Sequence, residues 1–586
     1  MKATMYKSIL VMLSLGICVS TQAKENANVP DELGQGHRNG HDGQVLTGCI
    51  AGKTQTELKL NDVRTRILTD GDMWWDLANA KYEVPKGSNS MAQFAGSLWF
   101  GGYHNGTLRI SAMTYRQSGV DFWPGPLNPT NVDVDPTVCT QYDKHYIFNR
   151  ADVDNFYSYW RQYGSANPST PSWIKDYPGN YDYGIWSTLG DNSTLITSAG
   201  APQTIYYLAP FNDINGDLVY NYADGDYPNY NVSGQHVNRG DCVRKLFGDQ
   251  TIFWVFNDKG AKHGESGATA IGVEIRGQAF EFSTGDELNS MSFYNYEVIN
   301  WSSDILDSTY FTVWDDCDLG NYQDDYIGCD VKRGLGYQYN GDNYDEDGMG
   351  LTGYHDKLPA IGCDFFQGPY ADIGDGVDND RDSCIDCSFY INPATGKVDY
   401  SQKIPDTQLP EQIIMSRFTY YTNTGNAQTG NPTSGNPLQY YNFMNGKWRD
   451  NTWMTYGGSG LTQTNAHCTF LFPGDSDPYG WGLGYQPGAA PISMPNWTQK
   501  NAGVVKNDMR FLQSCGKFTL KPGAVNYVTY GLPFARSNSA DNEAPIPLLK
   551  TADDKAQALF DNCFTNAPRK CRSKKTGDFD ILLFTK

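Results

Sequence analysis

The alternation of apolar and polar positions predicts a chain built mainly from strands. SLWFGGY and TLRISAMTY flank His104-Asn105-Gly106, and Asn-Gly between two apolar runs predicts a hairpin, because the tight turn needs positive φ at both central residues. Residues 250–256 (QTIFWVF), 271–283 and 291–314 read as further strands, the last as two strands joined by a polar turn around Ser303 to Asp307. Strand character returns at 516–531. Two stretches carry the helical period instead. Val153, Phe156, Tyr157 and Trp160 fall at i, i+3, i+4 and i+7 and predict a packing helix over 151–163. Thr551 and Asp554 have capping-box spacing ahead of Ala556, Leu559, Phe560 and Cys563, which predicts a helix over 552–563. The expected fold class is mainly β: antiparallel β-sandwich-type domains with long acidic loops and a few short helices.

The chain has 586 residues, enough for several domains or one large composite unit. Residues 1–23 carry Lys2 and Lys7, the apolar run SILVMLSLGICV and the small-residue ending TQA, the pattern of a secretory signal peptide too short to span a bilayer. Lipidation at Cys18 is the alternative, although Ile17 before it suits a lipobox poorly. A polar lead-in at 24–44 follows, then a β-rich domain with one short helix at 45–205 and a sandwich with acidic loops at 206–421. A Gly/Asn/Thr-rich loop at 422–437 precedes a β segment and helix at 438–565, expected to pack with the preceding domain. No later segment is long and apolar enough to cross a membrane. The expected location is extracellular or on the outer cell surface.

The net charge of −21 disfavours nucleic acid and anionic membrane as partners, since both need clustered basic charge. Of thirteen cysteines, twelve remain once Cys18 is set aside, and an even set behind an export signal predicts disulfides. Cys384-Ile-Asp-Cys387 also has the spacing of a redox or zinc motif, but no second CxxC or His pair accompanies it.

The acid is concentrated in short loops. Numbered from Asp213, DINGDLVYNYAD places oxygen-bearing side chains at positions 1, 3, 5, 9 and 12: Asp213, Asn215, Asp217, Asn221 and Asp224. Val219 stands at position 7, where a calcium loop uses a backbone carbonyl, and Leu218 stands where that loop has glycine. Numbered from Asp378, DGVDNDRDSCID places Asp378, Asp380, Asp382 and Asp386 at positions 1, 3, 5 and 9, with Cys384 at position 7. Its closing carboxylate must come from elsewhere, with Asp372 or Asp375 as candidates. DCDLGNYQDD holds Asp316, Asp318, Asp324 and Asp325 around Gly320, and a weaker cluster holds Asp342, Asp345 and Asp347. Like charges this close repel unless a cation lies between them, so structural Ca2+ is the expected cofactor.

The chain carries no HExxH, GxSxG, P-loop or dinucleotide fingerprint. Met73-Trp74-Trp75, Asp121-Phe122-Trp123-Pro124 and Tyr479-Gly480-Trp481 set aromatics beside Gly, Pro and Asp. Such residues either fill a β core or hold sugar rings.

Four groups of motifs carry a resemblance. They are GDMWWDLANAKYEVPKG with TYRQSGVDFWPGPL; APFNDINGDLVYNYADGDYP with GDQTIFWVFNDKG; MSFYNYEVINWSSDILDSTYFTVWDDCDLGNYQDDYIGCDVKRGLGYQYNGD; and RFLQSCGKFTLKPGAVNYVTYGLPFAR with DDKAQALFDNCF. Over roughly residues 60–565 the chain resembles a conserved N-terminal region of large exported surface proteins of Bacteroidetes-type bacteria. Those proteins often end in a sorting domain for type IX secretion. The resemblance implies export and a surface setting, not a reaction. The basic tail at 566–586 departs from that family and reads as a truncated ending or a short member. Three functions are expected in order. The first is a non-catalytic, calcium-stabilised module for adhesion or glycan contact, with glycans or other surface proteins as partners. The second is a secreted polysaccharide or protein hydrolase. The third is a structural surface or matrix component.

Overall fold

A computed structural model describes residues 48–192, 203–230, 245–391, 398–493, 495–564 and 567. The signal peptide, the lead-in, Cys18, Cys242, Cys571 and nearly all of the tail fall outside these residues.

Two large, mainly antiparallel sheets face each other. In the first, Met509–Leu520 lies between Arg417–Thr422 and Leu306–Asp316, which pairs in turn with Ala95–His104. Short strands between residues 55 and 93 extend that sheet, and Thr107–Ala112 returns along the 95–104 strand. In the second, Ala524–Leu532 lies between Pro359–Gln367 and Ser292–Asn300. Val273–Glu281 and Gln250–Asn257 follow on one side, and Leu335–Asn340 and Asp325–Asp330 on the other. Both sheets therefore take strands from the 45–205, 206–421 and 438–565 segments.

The core lies between the sheets. Trp74, Trp99 and Trp314 from the first and Trp254, Tyr294 and Tyr296 from the second are fully buried in one cluster. Its polar tips are paired, as burial requires. Trp74 Nε1 donates to Tyr294 Oη at 2.7 Å, and Tyr82 Oη lies 2.8 Å from Ser292 Oγ. Trp74 and Trp75, and likewise Trp123, are thus core residues.

The predicted hairpin forms with His104 opposite Thr107 and with positive φ at Asn105 and Gly106. The 151–163 prediction corresponds to the helix Arg150–Tyr163, which buries Val153 and Phe156. The 291–314 stretch forms two strands joined by a polar turn, Ser292–Asn300 and Leu306–Asp316, and that turn carries the chain from one sheet to the other. Two expectations need adjustment. The second helix begins at Pro545, not near 552: proline at the first position fixes the helical φ, and Thr551 lies mid-helix with its Oγ1 on Pro547 O. The cysteines do not all pair. Cys49–Cys139 and Cys384–Cys387 are disulfides, and Cys563 is also disulfide-bonded. Cys317, Cys329, Cys363, Cys468 and Cys515 are buried free thiols that pack as small apolar groups.

Candidate metal centres in two acidic loops

The 213–224 loop is suspended from a short strand pair. Asn212 lies opposite Tyr227, so Asp213 and Asp226 face each other where the loop leaves and rejoins it. Inside, the side chains fold onto the backbone in a regular series. Asp213 accepts from Gly216 N (2.7 Å) and Leu218 N (2.8 Å), Asn215 from Asp217 N (3.1 Å), and Asp217 from Val219 N (2.8 Å).

The 378–386 loop repeats the series at the same positions. Asp378 accepts from Ser383 N (3.1 Å), Asp380 from Asp382 N (3.1 Å), and Asp382 from Cys384 N (2.8 Å). The backbones match too: positions 4 and 6 have positive φ in both, at Gly216 (+78°) and Leu218 (+64°), and at Arg381 (+57°) and Ser383 (+77°). The Cys384–Cys387 disulfide closes the end of the second loop, which accounts for the CxxC spacing without a metal on sulfur.

Each loop gathers three carboxylates whose oxygens lie within 4.8 Å of one another: Asp213, Asp217 and Asp226 in the first, Asp378, Asp380 and Glu411 in the second. The third member in each case lies beyond the segment whose spacing was read. Asp224 accepts from Asn221 Nδ2 (2.7 Å), while Asn221 Oδ1 accepts from Ala223 N, so these two predicted ligands tie the loop's end to itself. In the second loop Asp386 turns to Gly376 N (2.9 Å), Asp372 to Thr519, and Asp375 to Val377 N and Asn379. Glu411 instead arrives from the segment before the 417–422 strand. It is held there by Ala371 N on its own carbonyl, and Ile414 N bonds Asn379 O nearby.

Burial and mutual repulsion disfavour the charged forms of these groups. Asp226 is fully buried, and burial raises its pKa despite bonds from Ile214 N (2.8 Å) and Asn221 N (2.9 Å). Burial and then Asp382 push Asp378 up to about 6. Burial, with Asp380 and Asp378 adding to it, pushes Glu411 up to about 8. Asp378 Oδ1 and Glu411 Oε1 are both shielded from solvent and have no hydrogen-bond partner. A buried oxygen left unbonded costs about 1–3 kcal/mol. A divalent cation would satisfy both oxygens and reverse the repulsion. The donor set is all hard oxygen, which suits Ca2+, and Asp378, Asp380 and Glu411 would hold it.

The other acidic clusters are built differently. Asp316, Asp318 and Asp508 also converge, but a fully buried guanidinium lies among them: Arg510 Nε is 3.0 Å from Asp316 and Nη1 is 2.6 Å from Asp508. Asp324 and Asp325 separate from Asp316 and lie beside Asp345 and Lys506. Asp325 accepts from Leu319 N (3.0 Å), and burial followed by the Asp345 charge pushes Asp324 up to about 7. Asp345 accepts from Asn321 N and Tyr354 N, Asp342 pairs with Lys506, and Asp347 pairs with His355 (2.8 Å).

No protein-family model matches the chain, and no curated protein matches it. No helix among the described residues is long and apolar enough to cross a membrane.

Proposed function

We propose that this chain is an exported β-sandwich module that binds structural calcium in its 213–226 and 378–411 regions and serves in adhesion or glycan contact without catalysis. The observation that carries the reading is the pair of unpartnered, buried oxygens on Asp378 and Glu411, set in a loop whose backbone and hydrogen bonds repeat those of 213–219. Two loops distant in sequence have taken the same conformation around clustered acid, as selection for one cation chemistry would produce. The signal-like N-terminus and the resemblance to exported surface proteins support an extracellular setting, where millimolar calcium suffices for sites of about 10⁻⁴–10⁻³ M.

The test is thermal unfolding of the mature chain in excess calcium and in chelator, with ions counted by native mass spectrometry. Two bound ions and a calcium-dependent rise in stability are expected, about 2.7 kcal/mol per site at a hundredfold excess over the dissociation constant. No ion and no shift would overturn the calcium reading and move the carboxylates towards the hydrolase alternative.

A further inference from the structure

A cleft of about 270 Å³ opens directly beside the second acidic loop. That volume is just under the roughly 300 Å³ lower end of small-molecule sites, so it suits a single ring better than an extended chain. Asp375, Asp378 and Asn379 form one wall, Trp481 and Tyr485 another, and Arg417 and Lys517 approach from the neighbouring strands of the first sheet.

The aromatic wall is prearranged. Asp477 accepts from the backbone N–H groups of Gly480 (3.0 Å), Trp481 (2.7 Å) and Gly482 (2.9 Å), which fixes the turn that carries the rings. Trp481 and Tyr485 have ring centroids 4.8 Å apart, and Tyr479, 48% exposed, lies 5.4 Å from each. Trp74, Trp75 and Trp123 are sealed in the core, whereas Trp481 and Tyr485 are part-exposed and line the cleft. Flat amphipathic faces of this kind suit the apolar face of a pyranose. The cations add a second preference. Lys517 is exposed, and neither Lys517 nor Arg417 forms an ion pair among the described residues of an otherwise acidic protein.

We infer that this cleft is a subsite for one carboxylate-bearing sugar residue of a glycan, its ring on Trp481 and Tyr485 and its carboxylate towards Lys517 and Arg417. The inference rests on the calcium reading above, because Asp375 and Asp378 would repel that carboxylate unless the loop holds its cation. With calcium bound, the repulsion from the acidic wall is reduced, and recognition becomes calcium-dependent.

The probes are a galacturonic acid trimer and the neutral galactose trimer. Each is titrated calorimetrically, at fixed free calcium, into protein whose two ions have first been counted. The acidic trimer is expected to bind about tenfold more tightly. Tyr485→Ala should weaken both trimers by about fivefold to tenfold through the lost ring contact. Lys517→Gln should weaken only the acidic one, by about threefold, with the difference shrinking in high salt. Equal affinities, no binding to the calcium-loaded protein, or indifference to both substitutions would overturn the subsite while leaving the calcium reading intact. An empty ion count before any sugar is added would overturn the calcium reading itself.

Discussion

Leu218 and Ser383 hold the same place in two different loops, each at the sixth position with a left-handed backbone, φ +64° and +77°. Neither is the glycine that this conformation favours, so each loop carries strain of about 1–2 kcal/mol. Ser383 is exposed, and its backbone N–H donates to Asp378. Ser383→Gly should keep that bond and stabilise the protein by about 0.5–1 kcal/mol after glycine's own entropic cost. Chemical denaturation of the two proteins in the same calcium concentration measures the difference, and a loss of stability would show that the strain is not there to relieve.

Glu411 carries the closing charge of the second loop from outside it. Glu411→Gln keeps the shape and removes that charge. The ion count should fall from two to one, and the calcium-dependent part of the stability by about 2.7 kcal/mol at a hundredfold excess over the dissociation constant. In chelator the variant should be at least as stable as the parent, since an uncompensated buried carboxylate has gone. Asp226→Asn should do the same at the first loop, and native mass spectrometry of the double variant should find no ion.

Arg510 takes the place that a metal would fill among Asp316, Asp318 and Asp508, and its guanidinium also donates to Tyr115 Oη at 2.7–2.8 Å. Removing one partner from a buried charge network costs about 3–5 kcal/mol. Arg510→Met should lose about that much in a denaturant titration with chelator present, while both loop ions remain in the mass spectrum of the calcium-loaded protein.

Asp364 and Asp553 meet in the interior, where the 545–561 helix packs on the 359–367 strand. Burial pushes Asp553 up to about 8, and burial together with Asp553 raises Asp364 well above the carboxylate range. Both native values lie above the unfolded value of about 3.9, so between about pH 4 and pH 8 the folded protein binds more protons than the unfolded one. Stability from this pair is complete at low pH and is lost as pH rises through 8. Asp553→Asn should match the parent near pH 4 and exceed it by several kcal/mol at pH 9, with or without calcium. Melting curves across that range decide it.

The first three positions of each acidic loop were legible because Asp213, Asn215 and Asp217, like Asp378, Asp380 and Asp382, act within one short turn. Glu411 and Asp508 were not, since segments far along the chain, just ahead of the 417–422 and 509–520 strands, bring them in, and no local spacing records that. The same limit applies to the fold. Period-two patterning marks 292–300 and 306–316 as strands, yet it is silent on which sheet each joins. Thr551 and Asp554 imitate a cap because their spacing is right, while the helix had already begun at a proline whose ring suits its first turn. Trp75 and Trp481 look alike in sequence, and only the sheet packing separates core from surface.

The strands 509–520 and 524–532 each lie in the interior of a sheet, with neighbours on both sides that precede them by about a hundred residues or more. Until they arrive, the 306–316 and 292–300 strands lack one of their two neighbours, and the broad aromatic face between the sheets stands open. The molecule therefore has two keystones, and both are set late. A ribosome or a membrane pore that delivers the chain from its N-terminus would hold an unfinished arch until residues 509–532 had emerged, and closure would then come in a single concerted step.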